Sequence, residues 1–188
     1  MSSSYFIAPL VFIIEVATGF FAALVMVRFL LGLARASFYN PLARAIVTLT
    51  NPLLVPLRRL LPPWGGIDWA AITLLVLIEG AAIALVTWLR VQALPAAGTL
   101  AVLVLVALVE LLFNVYLVAI LLLVLLSWIS PGHYNPAAVL LDELTRPVLQ
   151  PCRRLIPPLG GLDLSPLIAL VALQVLKMLL VPPILALA

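Results

Sequence analysis

Hydrophobic residues along this chain fall into four long stretches that polar positions interrupt only rarely. The stretches are Leu10 to Leu33, Ile67 to Leu89, Leu100 to Trp128 and Pro166 to the C-terminus. Each reaches or exceeds the roughly 20 residues that an α-helix needs to cross a hydrocarbon core of about 30 Å. None alternates apolar and polar positions as a barrel strand does, and backbone in lipid must satisfy its own hydrogen bonds. The pattern predicts an all-α membrane protein with four transmembrane helices.

Composition agrees with a chain whose solvent is lipid. Hydrophobic residues make up 66% of it and charged residues 9%, against about half and a quarter in an average soluble domain. Ten basic residues are too few and too scattered for a nucleic-acid surface. The one cysteine, Cys152, and the one histidine, His133, exclude an internal disulfide and leave no zinc-ligand cluster. We interpret the first stretch as an uncleaved span, because no basic region precedes it.

The chain also repeats itself at a distance of 95 residues, without a gap. This repeat predicts two units, residues 1–95 and 96–188, each a helix, a proline-rich segment and a second helix. Because each hairpin crosses the membrane twice, the repeats are parallel, and a two-fold-like arrangement along the membrane normal is expected. The superposed positions are Tyr39-Asn40-Pro41 on Tyr134-Asn135-Pro136, Pro56 on Pro151, Arg58-Arg59 on Arg153-Arg154, Pro62-Pro63 on Pro157-Pro158, Gly65-Gly66 on Gly160-Gly161, Asp68 on Asp163, Glu15 on Glu110 and Glu79 on Gln174.

We call the two proline-rich segments the first elbow, residues 40–68, and the second elbow, residues 135–163. Each opens with Asn-Pro, and since Asn caps helices and Pro suits the first helical position, short helices should begin at Pro41 and Pro136. The first of these, up to Thr50, is expected to be amphipathic and to lie in the interface. The following prolines at a spacing of four predict a kinked or partly unwound piece. The Pro-Pro and Gly-Gly pairs then predict extended backbone and a tight turn.

Arginines concentrate around the elbows, whereas the outer link has only Arg90. The positive-inside rule then places both elbows in the cytoplasm and both termini outside, in the periplasm. The arginines in and around the elbows are Arg35, Arg44, Arg58, Arg59, Arg146, Arg153 and Arg154.

Two interpretations of the Arg-Arg pairs stay open. In the first, these arginines anchor the chain to lipid phosphates. In the second, Arg58 or Arg59 pairs with Asp68 and closes the first hairpin. The second elbow offers the same choice, with Arg153 or Arg154 against Asp163. Asp68 is also expected to cap the second span, and in the second copy either Asp163 or Ser165 could hold that role.

Several polar residues lie inside the spans, where each charge costs on the order of 3 kcal/mol and should face the bundle interior. Lys177 follows Gln174 by almost one turn, which makes Glu79 or Glu110 its counter-ion. Pseudo-symmetry should bring Glu79 and Gln174 near one central axis. Arg28 lies nearer the cytoplasmic end of its span, from which it could snorkel. These groups serve either as interhelical contacts that fix the packing or as a proton or cation path. The set is Glu15, Arg28, Glu79, Glu110, Asn114, Gln174 and Lys177.

The doubled elbow resembles the hallmark of the YggT (also YlmG) family of small bacterial and plastid membrane proteins. That hallmark reads Asn-Pro-x3-Pro-x-Arg-Arg-x2-Pro-Pro-x-Gly-Gly-x-Asp. Asn51 to Asp68 matches it in full, and Arg146 to Asp163 matches it except that Arg146 replaces Asn. The resemblance implies tolerance of osmotic and envelope stress, and relatives are associated with cell division, nucleoid distribution and, in plastids, haem attachment to cytochrome b6. It supplies no catalytic residues.

The sequence thus predicts a non-enzymatic scaffold or assembly factor of the bacterial inner membrane, with no cofactor, no metal and no nucleic-acid partner. Its elbows are expected to bind phospholipid or an unidentified membrane protein through Arg58, Arg59, Arg153, Arg154, Asp68 and Asp163. Small residues in the first two spans are compatible with a homo-oligomer. The alternative function is a small ion channel or transporter that uses the intramembrane charges.

Overall fold

The computed structural model describes residues 3–37, 39–129, 134–155 and 163–188. These residues form six α-helices joined by short connections. His133 and the second Pro-Pro and Gly-Gly pairs lie outside the described residues. The helices are α1 (Ser3–Leu33), α2 (Pro41–Leu60), α3 (Trp69–Val91), α4 (Ala97–Ile129), α5 (Pro136–Leu155) and α6 (Ser165–Leu185).

Four of the described helices, α1, α3, α4 and α6, are long and apolar enough to cross a membrane. They coincide with the four predicted stretches, so the prediction of an all-α, four-span membrane protein is confirmed. Most of their surface faces outward from the bundle, as it must where lipid is the solvent. The division into units 1–95 and 96–188 stays a prediction.

The two elbow helices begin where Asn-Pro predicted. The side chain of Asn40 accepts a hydrogen bond from the Leu42 N–H at 2.9 Å, and that of Asn135 accepts one from the Ala137 N–H at 2.9 Å. Both helices are longer than predicted: α2 continues past Thr50 to Leu60, and α5 continues to Leu155.

Of the two expectations for the prolines at a spacing of four, a partly unwound piece is wrong, whereas a kink stays a prediction. α2 passes through Pro52 and Pro56, and α5 passes through Pro147 and Pro151, without interruption. A spacing of four places both prolines of a helix on one face, and in each helix that face is exposed. The carbonyl oxygens that lose their N–H donors therefore lie away from the packed side, and the helix survives.

Packing follows the two hairpins. α1 packs against α3, α4 packs against α6, and the hairpins meet where α4 contacts α3 and α1. α2 lies on α1 and α3, while α5 lies on α4 and α6, and the two elbow helices also touch one another. The main core contains Ala22, Val25 and Leu31 of α1, together with Leu54 of α2.

The two-fold-like packing that the repeat predicts is not kept among the spans. α3 packs against α4, but α6 makes no contact with α1 or α3 over the residues described for these helices. One difference in sequence accounts for part of this. Gly80 of α3 faces α4, with Val104 Cγ2 3.6 Å from the position that a Cβ would take. The position 95 residues later is Val175, which is exposed on α6.

Candidate functional site

An ion pair closes the first elbow. Arg58, in the last turn of α2, donates from Nη2 to Oδ2 of Asp68, and its side chain is more exposed than that of Asp68. Asp68 is also the N-cap of α3, since its Oδ1 accepts from the Ala71 N–H at 3.3 Å. Gly65 and Gly66 reverse the chain between them with φ of 65° and 80°, the region that glycine enters without strain. The predicted cap and turn are confirmed, and of the two interpretations of the Arg58-Arg59 pair, Arg58 follows the one that closes the hairpin.

The second elbow carries the equivalent pair. Arg153 Nε donates to Asp163 Oδ2 at 3.1 Å, and both side chains are more than 40% exposed. Oδ1 of Asp163 accepts from the backbone N–H of Ser165, the first residue of α6, at 2.9 Å. Asp163 therefore lies one residue before the N-cap, Leu164, which makes no side-chain capping hydrogen bond. The expectation that Asp163 or Ser165 is the N-cap is wrong, although the Asp163 carboxylate does accept from the first N–H of the helix. Burial acts to raise the pKa of the Asp163 carboxyl, but hydrogen bonding by Ser165 and the Arg153 guanidinium outweigh it and lower the pKa.

Arg28 is held inside the protein, so the expectation that it snorkels is wrong. Its side chain is 5% exposed, and its Nη1 donates to the carbonyl of Val47 at 3.1 Å and to Oγ1 of Thr50 at 2.5 Å. Thr50 is fully buried and donates its own hydroxyl to the Ile46 carbonyl. Because α2 lies over the end of α1 and presents these acceptors, Nη1 of the guanidinium finds its hydrogen-bond partners within the protein.

A cavity of about 390 Å³ lies beside Arg28 and the Arg58–Asp68 pair. Two guanidinium groups against one carboxylate leave its wall with a net positive charge. The rest of the wall is apolar or turn backbone: Phe29, Gly32, Leu33, Val47, Pro63 and Gly66.

The second arginine of each Arg-Arg pair is free. Arg59 and Arg154 are exposed, and neither makes an ion pair or a hydrogen bond to the residues that the structure describes. Each of the two interpretations therefore applies to one arginine of a pair. Arg58 and Arg153 close the hairpins, while Arg59 and Arg154 are left available to lipid or a partner.

The two elbows lie side by side. Nδ2 of Asn40 donates to the carbonyl of Pro136 at 2.6 Å, and the backbone N–H of Ser37 donates to Oε2 of Glu143 at 3.1 Å. The first contact joins the start of α2 to the start of α5. Arg59 and Arg154 therefore belong to one end of the bundle, where both elbows meet.

Each hairpin contains one ion pair between its two spans. Glu15 Oε1 lies 2.9 Å from Arg90 Nη2, and Glu110 Oε1 lies 3.8 Å from Lys177 Nζ. Lys177 also donates to Oδ1 of Asn114 at 2.9 Å. Of the two predicted counter-ions for Lys177, the structure therefore selects Glu110. The glutamates are equivalent in the repeat, but the cations are not.

Glu79 and Gln174 do not meet, so the prediction of a shared central axis is wrong. Gln174 is exposed on α6, which does not touch α3. Glu79 instead lines a cavity of about 220 Å³ between α1 and α3, together with Glu15, Thr18 and Thr87. Over the described ranges, no three His, Cys, Asp or Glu side chains come together as metal ligands.

The comparison with known families matches most of the chain. The model of the family described as CCB3/YggT matches twice, at residues 7–89 and 102–184. The chain belongs to the CCB3/YggT family. Each match covers one hairpin and its elbow, and the resemblance seen in the doubled motif is confirmed.

Proteins similar to this chain occur in several organisms. An uncharacterized protein of Pseudomonas aeruginosa is 39% identical over 187 residues, covering 91% of this chain and 87% of that protein. Uncharacterized protein YggT of Escherichia coli K12 is 34% identical over 170 residues, covering 90% and 87%. Uncharacterized protein ycf19 of Porphyra purpurea is 38% identical over 64 residues, covering 34% of this chain and 67% of that protein. No solved structure matches.

Sequence reasoning missed several contacts of this CCB3/YggT chain, three of them at the first elbow: Arg28 with Thr50, Asn40 with Pro136, and Ser37 with Glu143. A signal existed for the first, because the repeat superposes Thr50 on Thr145, and both threonines are fully buried. The second contact involves the repeated Tyr-Asn-Pro. This motif predicted that the Asn40 side-chain oxygen caps α2, but not that the side-chain NH2 group donates to the other elbow. Nothing in the sequence pointed to the third.

Proposed function

We propose that this protein is a non-enzymatic scaffold or assembly factor of the bacterial inner membrane. Its two elbows form one cytoplasmic surface that binds anionic lipid and a membrane-protein partner. Through that surface it contributes to osmotic and envelope-stress tolerance. The observation that carries this proposal is the pairing of the elbows through Asn40 and Pro136, with Arg59 and Arg154 exposed and without partners among the described residues.

The orientation rests on the distribution of arginine. Both elbows carry several arginines, while the connection between α3 and α4 has only Arg90 close to it. Basic residues in short loops are retained on the cytoplasmic side during insertion. The elbows are therefore cytoplasmic and both termini periplasmic.

Exposed apolar residues on the first elbow helix support contact with lipid. Leu42, Leu49 and Leu53 of α2 are 41 to 58% exposed, whereas Thr50 and Leu54 on the packed side are buried. A helix outside the spans that carries both leucines and arginines on its free surface suits the boundary between headgroups and acyl chains. The free arginines then meet lipid phosphates or an acidic partner.

The intramembrane charges favour a scaffold over an ion conductor. Glu15 with Arg90, and Glu110 with Lys177, are paired within their own hairpins. Pairs of this kind fix how helices pack. A conducting path instead needs groups arranged along one continuous passage. The relatives carry no catalytic name, in keeping with a non-enzymatic role, and the stress role is the one that the family resemblance implies.

Replacing both free arginines tests the proposal. A strain without the gene is complemented with wild type, with Arg59→Gln/Arg154→Gln, or with Arg90→Gln, which removes a charge and the Glu15 ion pair at the other end and so controls for a general loss of helix packing. We expect the double variant to reach the membrane at wild-type levels and yet fail to restore growth after osmotic upshift. Photo-crosslinking from positions 60 and 150 should lose its membrane-protein adduct in the same variant. Full complementation by the double variant would rule the surface out.

A further inference from the structure

We propose that the cavity of the first elbow is a binding site for one phosphate group, held by Arg28 and Arg58. The inference deepens the proposed function, because it assigns a specific ligand to one part of the cytoplasmic surface. It rests on the geometry of these two arginines and Asp68, and it does not require Arg59 or Arg154.

Arg28 has donors to spare beside this cavity. A guanidinium carries five N–H donors, and only Nη1 of Arg28 is used, by Val47 and Thr50. Nε and Nη2 make no hydrogen bond to the described residues, and neither is fully covered by protein. The side chain is nevertheless 95% buried, at 5% exposure, and lines the cavity. Oxygens of a bound phosphate can accept from these donors in charge-assisted hydrogen bonds, which are stronger than neutral ones.

Arg58 lines the same cavity with its hydrogen-bonding capacity partly unused. Nη2 is paired with Asp68, Nη1 makes no hydrogen bond to the described residues, and Nε is buried without a partner. Asp68 neutralises only one of the two guanidinium groups. The net positive wall selects an anion, and the planar fork of arginine fits the oxygens of a phosphate in a bidentate manner.

The size and the place of the cavity fit a headgroup phosphate. Its volume of about 390 Å³ falls within the range of small-molecule sites. Arg28 precedes the end of α1 at Leu33 by five residues, which is about 7.5 Å along a helix axis. Phe29 and Leu33 provide an apolar wall beside the charges, suited to the glycerol and upper acyl chain of a lipid. Free inorganic phosphate shares the same chemistry.

The site belongs to the first repeat. The position 95 residues after Arg28 is Leu123, so the second elbow has no guanidinium equivalent to Arg28. The Arg153–Asp163 pair is also more exposed than Arg58–Asp68. One phosphate per chain is therefore expected.

Native mass spectrometry of the delipidated full chain in detergent tests the proposal with phosphatidylglycerol as the probe. Wild type should retain one lipid. Arg28→Leu, which copies the second repeat, should weaken binding roughly tenfold or more, the worth of charge-assisted hydrogen bonds. Asp68→Asn keeps a capping residue but frees Nη2 of Arg58, so it should bind more tightly. Arg90→Gln should bind as wild type. Circular dichroism verifies that each variant is folded.

A second arm replaces the lipid with radiolabelled inorganic phosphate in equilibrium dialysis. Binding of either probe that falls with Arg28→Leu and rises with Asp68→Asn supports the site, and the arm that responds identifies the source as headgroup or free phosphate. Binding of neither probe, binding unchanged in Arg28→Leu, or a loss in folded Asp68→Asn would overturn it. These outcomes are separate from the growth and crosslinking of the Arg59/Arg154 variant, which test the cytoplasmic surface itself.

Discussion

Arg28 in the first span and Thr50 in the first elbow helix, 22 residues apart, are joined by a buried hydrogen bond. The bond holds α2 against the end of α1, and the same guanidinium also donates a hydrogen bond to the Val47 carbonyl. Arg28 thereby fixes the position of α2 and, with Val47, one wall of the first-elbow cavity. The second repeat keeps the buried threonine, as Thr145, without the arginine.

Thr50→Val should destabilise the protein by about 1–3 kcal/mol, because it leaves a buried guanidinium short of an acceptor. Thr145→Val is the matched control, since Thr145 donates only to the Leu141 carbonyl, and it should cost less than about 1 kcal/mol. Unfolding in mixed micelles with increasing dodecyl sulfate measures both. Equal losses would show that Arg28 gains nothing from Thr50.

A double-mutant cycle with Arg58→Gln and Asp68→Asn should show a coupling of about 1 kcal/mol, as expected for a partly buried charge-assisted pair. The corresponding cycle with Arg153→Gln and Asp163→Asn should give about 0.2–1 kcal/mol, because that pair is more exposed and screened. Unfolding free energies of the four variants in each cycle provide the measurement. Additive effects at the first elbow would contradict a closing role for its pair.

Stability should depend on the protonation of Asp163. Its pKa is lowered in the folded protein, so its contribution is present above the unfolded value of about 3.9 and is lost as the pH falls through the lower, folded pKa. The difference in melting temperature between wild type and Asp163→Asn should therefore be greatest near neutral pH and vanish in acid. A difference that grows on acidification would reverse the sign of this linkage.

Gly80→Leu should push α3 away from α4 and cost about 1–3 kcal/mol, the usual penalty of overpacking. A Cβ alone fits, because Val104 lies 3.6 Å from its position, so Gly80→Ala should be tolerated. Gly19→Leu is the control, since nothing lies within 4 Å of its Cβ position. Unfolding in micelles distinguishes the three variants, and a destabilising Gly19→Leu would point to a general loss of glycine rather than to this contact.

Reconstituted liposomes should show no charge-dependent ion flux. Glu79 has no ion pair or hydrogen bond among the described residues, so Glu79→Gln removes an intramembrane carboxyl that has no partner there, and Lys177→Met removes the paired cation. Proton and potassium flux should match protein-free vesicles for wild type and for both variants. Selective flux that either substitution abolishes would displace the scaffold in favour of the ion conductor.

Much of the first elbow could be predicted from sequence because its chemistry is local. Asn40 caps α2 two residues away, and Asp68 lies ten residues from Arg58, so spacing alone brings these groups within reach. The unwound piece after Thr50 was predicted wrongly for the opposite reason. Whether Pro52 breaks a helix depends on which face carries it, and only packing decides that.

The amino-acid sequence by itself determined the number of spans, the repeat and the starts of the two elbow helices, because hydropathy and short-range spacing act within a segment. It left open whether the Arg-Arg pairs close the hairpins or anchor lipid, and the tertiary structure decided that Arg58 and Arg153 close them. The tertiary structure decided that Arg28 is buried and hydrogen-bonded to Thr50, that Lys177 pairs with Glu110, and that Glu79 and Gln174 do not meet. These outcomes depend on which helices touch. A sequence repeat implies equal partners for equal positions, but α3 packs on α4 while α6 does not reach α1, so equivalent residues meet different neighbours.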